Sequence, residues 1–79
     1  MKQLLFIATI YQVKNTESVE IGNPIHLYTL QELQSLIMDI FPGEKTYLTK
    51  ESDSKESLIK STTNLFKFIH LTEMSDLKI

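Results

Sequence analysis

The sequence has 79 residues, a net charge of −2 and no cysteine, so it predicts one small cytoplasmic domain over residues 1–79 without disulfides or thiolate metal sites. All eight basic residues are lysine, and the lack of arginine excludes the bidentate guanidinium contacts that read guanine or bind phosphate. With a pI near 5.6, the chain offers no positive field to a polyanion, which disfavours nucleic acid as a partner.

The first predicted element is a strand over residues 3–13, because this segment is rich in β-branched and aromatic residues and ends at a polar cluster. Both of its alternating sets of side chains are largely apolar, which predicts a strand inside the sheet and not at its edge, or one whose second face is covered by a partner. Since a single helix covers one face, the other face is available to a partner protein or a second copy. Its apolar run of eight residues, 4–11, is much shorter than the about 20 residues of a membrane-spanning helix. The sequence therefore predicts a soluble protein with no membrane partner.

A hairpin loop is predicted over residues 14–18, followed by an antiparallel strand that resumes at Val19–Ile21. The tripeptide Gly22-Asn23-Pro24 is predicted to end this strand, since proline has no N–H group and restricts the backbone of the residue before it. Residues 25–27 are then expected to form a short extended link to the next element.

The clearest prediction is a helix over residues 29–41. Thr29 and Glu32 are spaced for a capping box, in which each side chain accepts a hydrogen bond from the backbone N–H of the other residue. Pro42 and Gly43 are typical of a helix end. Apolar residues recur at steps of three and four along one face: Leu30, Leu33, Leu36, Ile37, Ile40 and Phe41.

The second half of the chain is predicted to contain two more strands, over residues 45–50 and 65–71. Between them lies the most polar window of the sequence, residues 51–57. The spacing of the apolar residues that follow favours a short helix over about 54–63. A strand is the alternative, because the serine, threonines and asparagine at 61–64 are poor helix formers.

These elements predict an α+β fold of two layers, in which a mostly antiparallel sheet of about four strands has one or two helices packed on one face. The expected core consists of Leu4, Phe6, Ile10, Ile21, Leu30, Leu33, Ile37, Ile40, Leu48, Phe66 and Ile69.

Chemical groups for catalysis are scarce in this sequence. Its two glycines, Gly22 and Gly43, are too few for a glycine-rich phosphate loop. Each histidine, His26 and His70, stands alone in an apolar tripeptide without a second metal ligand nearby in the sequence. We therefore expect neither enzymatic activity nor a cofactor or metal site.

The remaining function class is a protein-protein interaction module that binds a host protein or protein complex, with a homodimer as a further option. The candidate contact residues lie in and around the polar window, which we expect to form an exposed recognition loop. They are Tyr47, Lys50, Glu51, Asp53, Lys55 and Glu56. The alternative is a nucleic-acid accessory protein that uses Phe66, Lys67 and Phe68, because bases stack on aromatic side chains of strands.

In size and composition the chain resembles the small, acidic, cysteine-free inhibitors of phages and mobile elements, such as anti-CRISPR and other anti-defence proteins. The all-lysine basic set agrees with an AT-rich coding source of that kind. This resemblance, which involves no shared motif, implies an inhibitor of a host protein complex.

Overall fold

The computed structural model describes residues 3–50 and 56–74, which form a five-stranded antiparallel sheet and one helix. The elements are β1 (Phe6–Lys14), β2 (Glu17–Leu27), α1 (Leu30–Ile40), β3 (Thr46–Lys50), β4 (Glu56–Ser61) and β5 (Lys67–Glu73). The strands follow the order β2-β1-β5-β4-β3, so β1, β5 and β4 lie inside the sheet while β2 and β3 form its edges. The α+β class is confirmed, with five strands where the sequence predicted about four.

A two-residue turn joins β1 to β2. Both turn residues have a positive φ, 49° at Asn15 and 70° at Thr16, which is typical of the type I′ turn whose twist matches that of the flanking strands. Lys14 pairs directly with Glu17 across the turn. The hairpin is therefore tighter than the predicted loop over residues 14–18.

The predicted strand end at Gly22-Asn23-Pro24 is wrong, because β2 continues through these residues as a bulge. On either side of the bulge Ile10 pairs with Ile21 and Ala8 pairs with Ile25, so three residues of β2 lie opposite one residue of β1. A bulge on an edge strand tolerates proline, since the ladder is already interrupted there. Gly22 supplies the left-handed backbone, with φ of 74°. Residues 25–27 belong to β2.

The helix α1 begins where the sequence predicts. The backbone N–H of Glu32 donates to Thr29 Oγ1 at 3.0 Å, and the backbone N–H of Thr29 donates to Glu32 Oε1 at 3.2 Å, which confirms the capping box. The helix ends at Ile40, one residue earlier than predicted, and the Phe41 N–H donates to the Ile37 carbonyl as a cap.

The helix favoured over residues 54–63 is wrong for the part that the structure describes, which forms strand β4. Ser57, Ile59 and Ser61 are buried and alternate with the partly exposed Leu58 and Lys60. This two-residue period is typical of a strand. Two of the three buried residues are serines, so the pattern of apolar residues in the sequence does not reveal the period. The strand predicted over 65–71 is displaced toward the C-terminus, since residues 65–66 form the preceding turn.

The core lies between α1 and one face of the sheet. Six apolar residues are buried there: Ala8, Leu27, Phe41, Ile59, Ile69 and Leu71. Seven partly buried apolar residues pack against them: Phe6, Ile10, Ile25, Leu33, Leu36, Ile37 and Ile40. Among the described residues, no helix combines the length and the apolar character that a membrane crossing requires.

Four residues of the predicted core are instead exposed: Ile21, Leu30, Leu48 and Phe66, with exposed fractions of 40%, 64%, 61% and 67%. Their positions explain the exposure. Leu30 is the first residue of α1, and Phe66 lies in the turn before β5. Ile21 and Leu48 lie on β2 and β3, the edge strands of the sheet that the described residues form.

Candidate functional site

The sheet has one face packed under α1 and an opposite face that we call the open face. Side chains of a strand alternate between the two faces, so the ladder register assigns each residue to one of them. None of the described elements packs over the open face. Its central side chains are Ile7, Thr9, Tyr11, Tyr47, Glu56, Leu58, Lys60, Phe68, His70 and Thr72.

An aromatic cluster occupies the middle of the open face. Tyr11 on β1 and Phe68 on β5 are directly paired, and their rings stack with centroids 5.1 Å apart and planes 17° apart. His70 meets Tyr11 edge to face at 6.5 Å. On the other side, Lys60 of β4 places its Nζ atom 5.8 Å from the Phe68 ring centroid. All four side chains are only partly buried, so the cluster remains in contact with solvent.

A carboxylate that shares a hydrogen bond with the histidine lies beside this cluster. His70 Nε2 is 3.0 Å from Glu56 Oε1, and the two side chains are 25% and 45% exposed. With Lys60 the open face therefore carries both signs of charge around an aromatic centre. Within residues 3–50 and 56–74, no group of three histidine, aspartate or glutamate side chains is placed to hold a metal ion.

The structure separates the predicted contact residues. Tyr47 and Glu56 lie on the open face, Tyr47 opposite Lys60 and Glu56 opposite Thr72. Lys50 lies on the other face, where its Nζ is 3.3 Å from Glu73 Oε1. The remaining three predicted residues, Glu51, Asp53 and Lys55, lie outside the described residues.

The lysine and phenylalanines of the nucleic-acid alternative are also separated. Phe68 lies on the open face, Lys67 alternates to the face under α1, and Phe66 lies in the preceding turn. The cation that does meet Phe68 is Lys60, which the sequence interpretation missed. The strand alternation from Ser57 to Ser61 is the feature that identifies Lys60, because it places this residue on the open face.

An apolar groove runs along the opposite face, between α1 and the half of the sheet that ends at β3. It has a volume of about 410 Å³ and is lined on the helix side by Leu30, Leu33 and Ile37. On the sheet side its lining includes the apolar residues Phe6, Leu48, Ile59 and Leu71 and the polar residues Ser57 and Glu73. We call this the helix groove.

Comparisons with family models, with curated proteins and with solved structures give no match for this chain.

Proposed function

We propose that this chain is a non-enzymatic protein-binding module that docks on its partner through the open face. The observation that carries the proposal is the aromatic cluster of Tyr11, Phe68 and His70 at the centre of that face, with no described element packed over it. Aromatic side chains that are preorganised by their neighbours are the usual anchors of protein interfaces. Stacking fixes the Tyr11 and Phe68 rings before any partner arrives, which lowers the entropy cost of binding.

The charges around the cluster support a protein as the partner. Lys60 and Glu56 present opposite signs on the same face, on either side of Leu58 in β4. A polyanion would be attracted by one and repelled by the other, whereas a protein surface can offer a complementary charge to each. The overall charge of −2 acts in the same direction.

The ring contacts of Phe68 support the same choice. A nucleobase binds an aromatic side chain by stacking on a free ring face. Phe68 lies between two strands that each contribute a neighbour to its ring, Tyr11 from β1 and Lys60 from β4. The nucleic-acid accessory role is therefore the second candidate, and a binding assay with short single-stranded DNA tests it.

Within this proposal the partner is a host protein or protein complex, and the module acts as its inhibitor. The inhibitor role is supported by the resemblance in size, acidity and lack of cysteine to phage and mobile-element inhibitors. A module without chemistry of its own can inhibit a larger complex by covering a surface that the complex needs.

Capture of a partner from lysate of the source cells tests the proposal when open-face and helix-face variants are compared. Leu58→Lys adds a charge to the open face, and Met38→Lys adds the same charge to the solvent side of α1, where Met38 is 68% exposed. We expect the native chain and Met38→Lys to retain one common protein, and Leu58→Lys to bind it at least about tenfold more weakly. Circular dichroism checks that both variants fold.

Two results would contradict the proposal. Capture that is unchanged by Leu58→Lys but lost in Met38→Lys would move the binding site to the helix side. Binding of short single-stranded DNA at low salt, with an affinity that falls steeply as salt rises, would favour the nucleic-acid role instead.

A further inference from the structure

The two edges of the sheet differ in how well they are protected against pairing with another strand. The edge strand β2 contains a bulge at residues 22–24 and a proline, two features that interrupt a ladder and prevent edge-to-edge association. The edge strand β3 has neither, because its pairing with β4 is regular from Thr46 to Lys50. Its middle residue, Leu48, is 61% exposed.

No strand among the described residues pairs with the outer side of β3, so the backbone groups on that side can accept another strand. The Thr62 N–H donates to the Lys45 carbonyl at 2.9 Å, so Lys45 directs its carbonyl toward β4. In an antiparallel ladder every second residue bonds to the same neighbour, so Tyr47 and Thr49 also bond to β4. The N–H and C=O groups of the alternate residues, Thr46, Leu48 and Lys50, then point to the free edge.

We propose that β3 pairs with β3 of a second copy of this chain, antiparallel and with Leu48 on the two-fold axis. In this register Leu48 faces Leu48 of the second copy, and Thr46 faces its Lys50. Each outward-pointing residue then exchanges backbone hydrogen bonds with the residue opposite. The two five-stranded sheets become one continuous sheet with both helices on the same side.

The position of Lys50 and the number of β3 residues that pair both favour this register. Lys50 is the one charged residue of β3, and the Leu48-centred register places it opposite an uncharged threonine. A register centred on Lys50 would bring two lysines together, and one centred on Thr46 would overlap fewer residues. The Leu48-centred register is thus the one that pairs all three outward-pointing residues, and it also keeps the two lysines apart.

The side chains agree with the backbone pairing. Leu48 lies at the rim of the helix groove, so Leu48 of the second copy extends the apolar lining that Leu30 and Ile37 begin. On the other side of the sheet, the pairing leaves the Tyr11 and Phe68 rings uncovered. The homodimer is therefore independent of the proposed protein binding and would present two open faces side by side.

Single cysteines placed in β3 test both the pairing and its register, because the native chain has no cysteine. Directly opposite, hydrogen-bonded residues of an antiparallel pair have Cα atoms about 5.5 Å apart, within disulfide range, so Leu48→Cys is expected to form a cross-linked dimer under mild oxidation. In the matched control Thr49→Cys, the two Cα atoms are about 8 Å apart on a diagonal and beyond disulfide range. Equal cross-linking of the two variants, or none in either, would overturn the proposal.

Sedimentation of the native chain provides a second, cysteine-free test. We expect the mass to rise with concentration from that of one 9.2 kDa chain to twice that value. Leu48→Lys, which puts two like charges on the axis, is expected to stay monomeric, while Met38→Lys dimerises like the native chain. A native chain that stays monomeric across the concentration range, or a Leu48→Lys dimer, would refute the pairing. Leu58→Lys should dimerise normally, so loss of partner binding and loss of the dimer are distinguishable.

Discussion

The rings of Tyr11 and Phe68 stack across β1 and β5 with their centroids 5.1 Å apart, although 57 positions separate the two residues in the sequence (68 − 11). The pair joins the N-terminal hairpin to the C-terminal strand on the face opposite the helix. Its contribution to stability and its availability to a partner can be measured separately.

A double-mutant cycle on this pair should reveal a direct coupling. We expect Tyr11→Ala and Phe68→Ala to be less destabilising together than the sum of their separate effects, by about 0.5 to 1.5 kcal/mol, because the stacking is lost only once. Urea unfolding gives the free energies. A control cycle of Tyr11→Ala with Met38→Ala, at a distant exposed site on α1, should be additive within about 0.5 kcal/mol. The absence of coupling in the first cycle would show that the rings do not stack in solution.

Replacing Thr16 by glycine should stabilise the hairpin between β1 and β2. A β-branched residue is strained at the φ of 70° that Thr16 adopts, and the strain of a left-handed residue costs about 1 to 2 kcal/mol. Glycine removes this strain. Glycine also orders more on folding, so we expect a net gain of about 0.5 to 1 kcal/mol in urea unfolding. Thr49→Gly, in the extended strand β3, should destabilise instead. A destabilised Thr16→Gly would contradict the two-residue turn.

Thr29→Ala should weaken α1, since the alanine side chain cannot accept the hydrogen bond from the Glu32 N–H. We expect a loss of about 1 kcal/mol in the free energy of unfolding. Thr29→Ser keeps the hydroxyl and should stay close to the native stability. If serine and alanine cost the same, the cap is not formed in solution.

Ser61→Ala should be more damaging than its small change in size suggests. Ser61 is fully buried, its hydroxyl donates to Glu44, and its oxygen accepts the N–H groups of Thr63 and Asn64, each at 3.1 Å. Loss of these bonds leaves polar groups unsatisfied, so we expect about 1 to 3 kcal/mol of destabilisation in urea unfolding. The exposed neighbour Thr62 serves as the control, and Thr62→Ala should cost no more than about 0.5 kcal/mol. Equal losses would argue against the buried network.

Local signals in the sequence are sufficient to predict α1. Thr29 and Glu32 mark its start through a contact between residues three apart, and that contact is present in the structure. The effect of Pro24 depends on tertiary context instead, because a proline ends a strand unless the strand forms a bulge at that position. The preference for a helix over the strand alternative at β4 is wrong for a similar reason. Its buried serines are satisfied by Glu44 and Glu73, residues that are distant in the sequence.

The candidate site could be predicted only in outline. The two apolar sides of residues 3–13 indicate that one face would lack a helix, and the structure places Ile7 and Tyr11 on it. The cluster itself depends on strand order, since Phe68 and Lys60 reach Tyr11 only when β5 and β4 follow β1 in the sheet. Sequence spacing carries no information about that order.

Thiol labelling with and without the captured partner tests docking through the open face most directly. Because the native chain has no cysteine, Leu58→Cys reports on the open face and Met38→Cys on the solvent side of α1. We expect the partner to slow labelling at position 58 by at least about tenfold and to leave labelling at position 38 unchanged. Slowed labelling at position 38 with no change at position 58 would contradict docking through the open face.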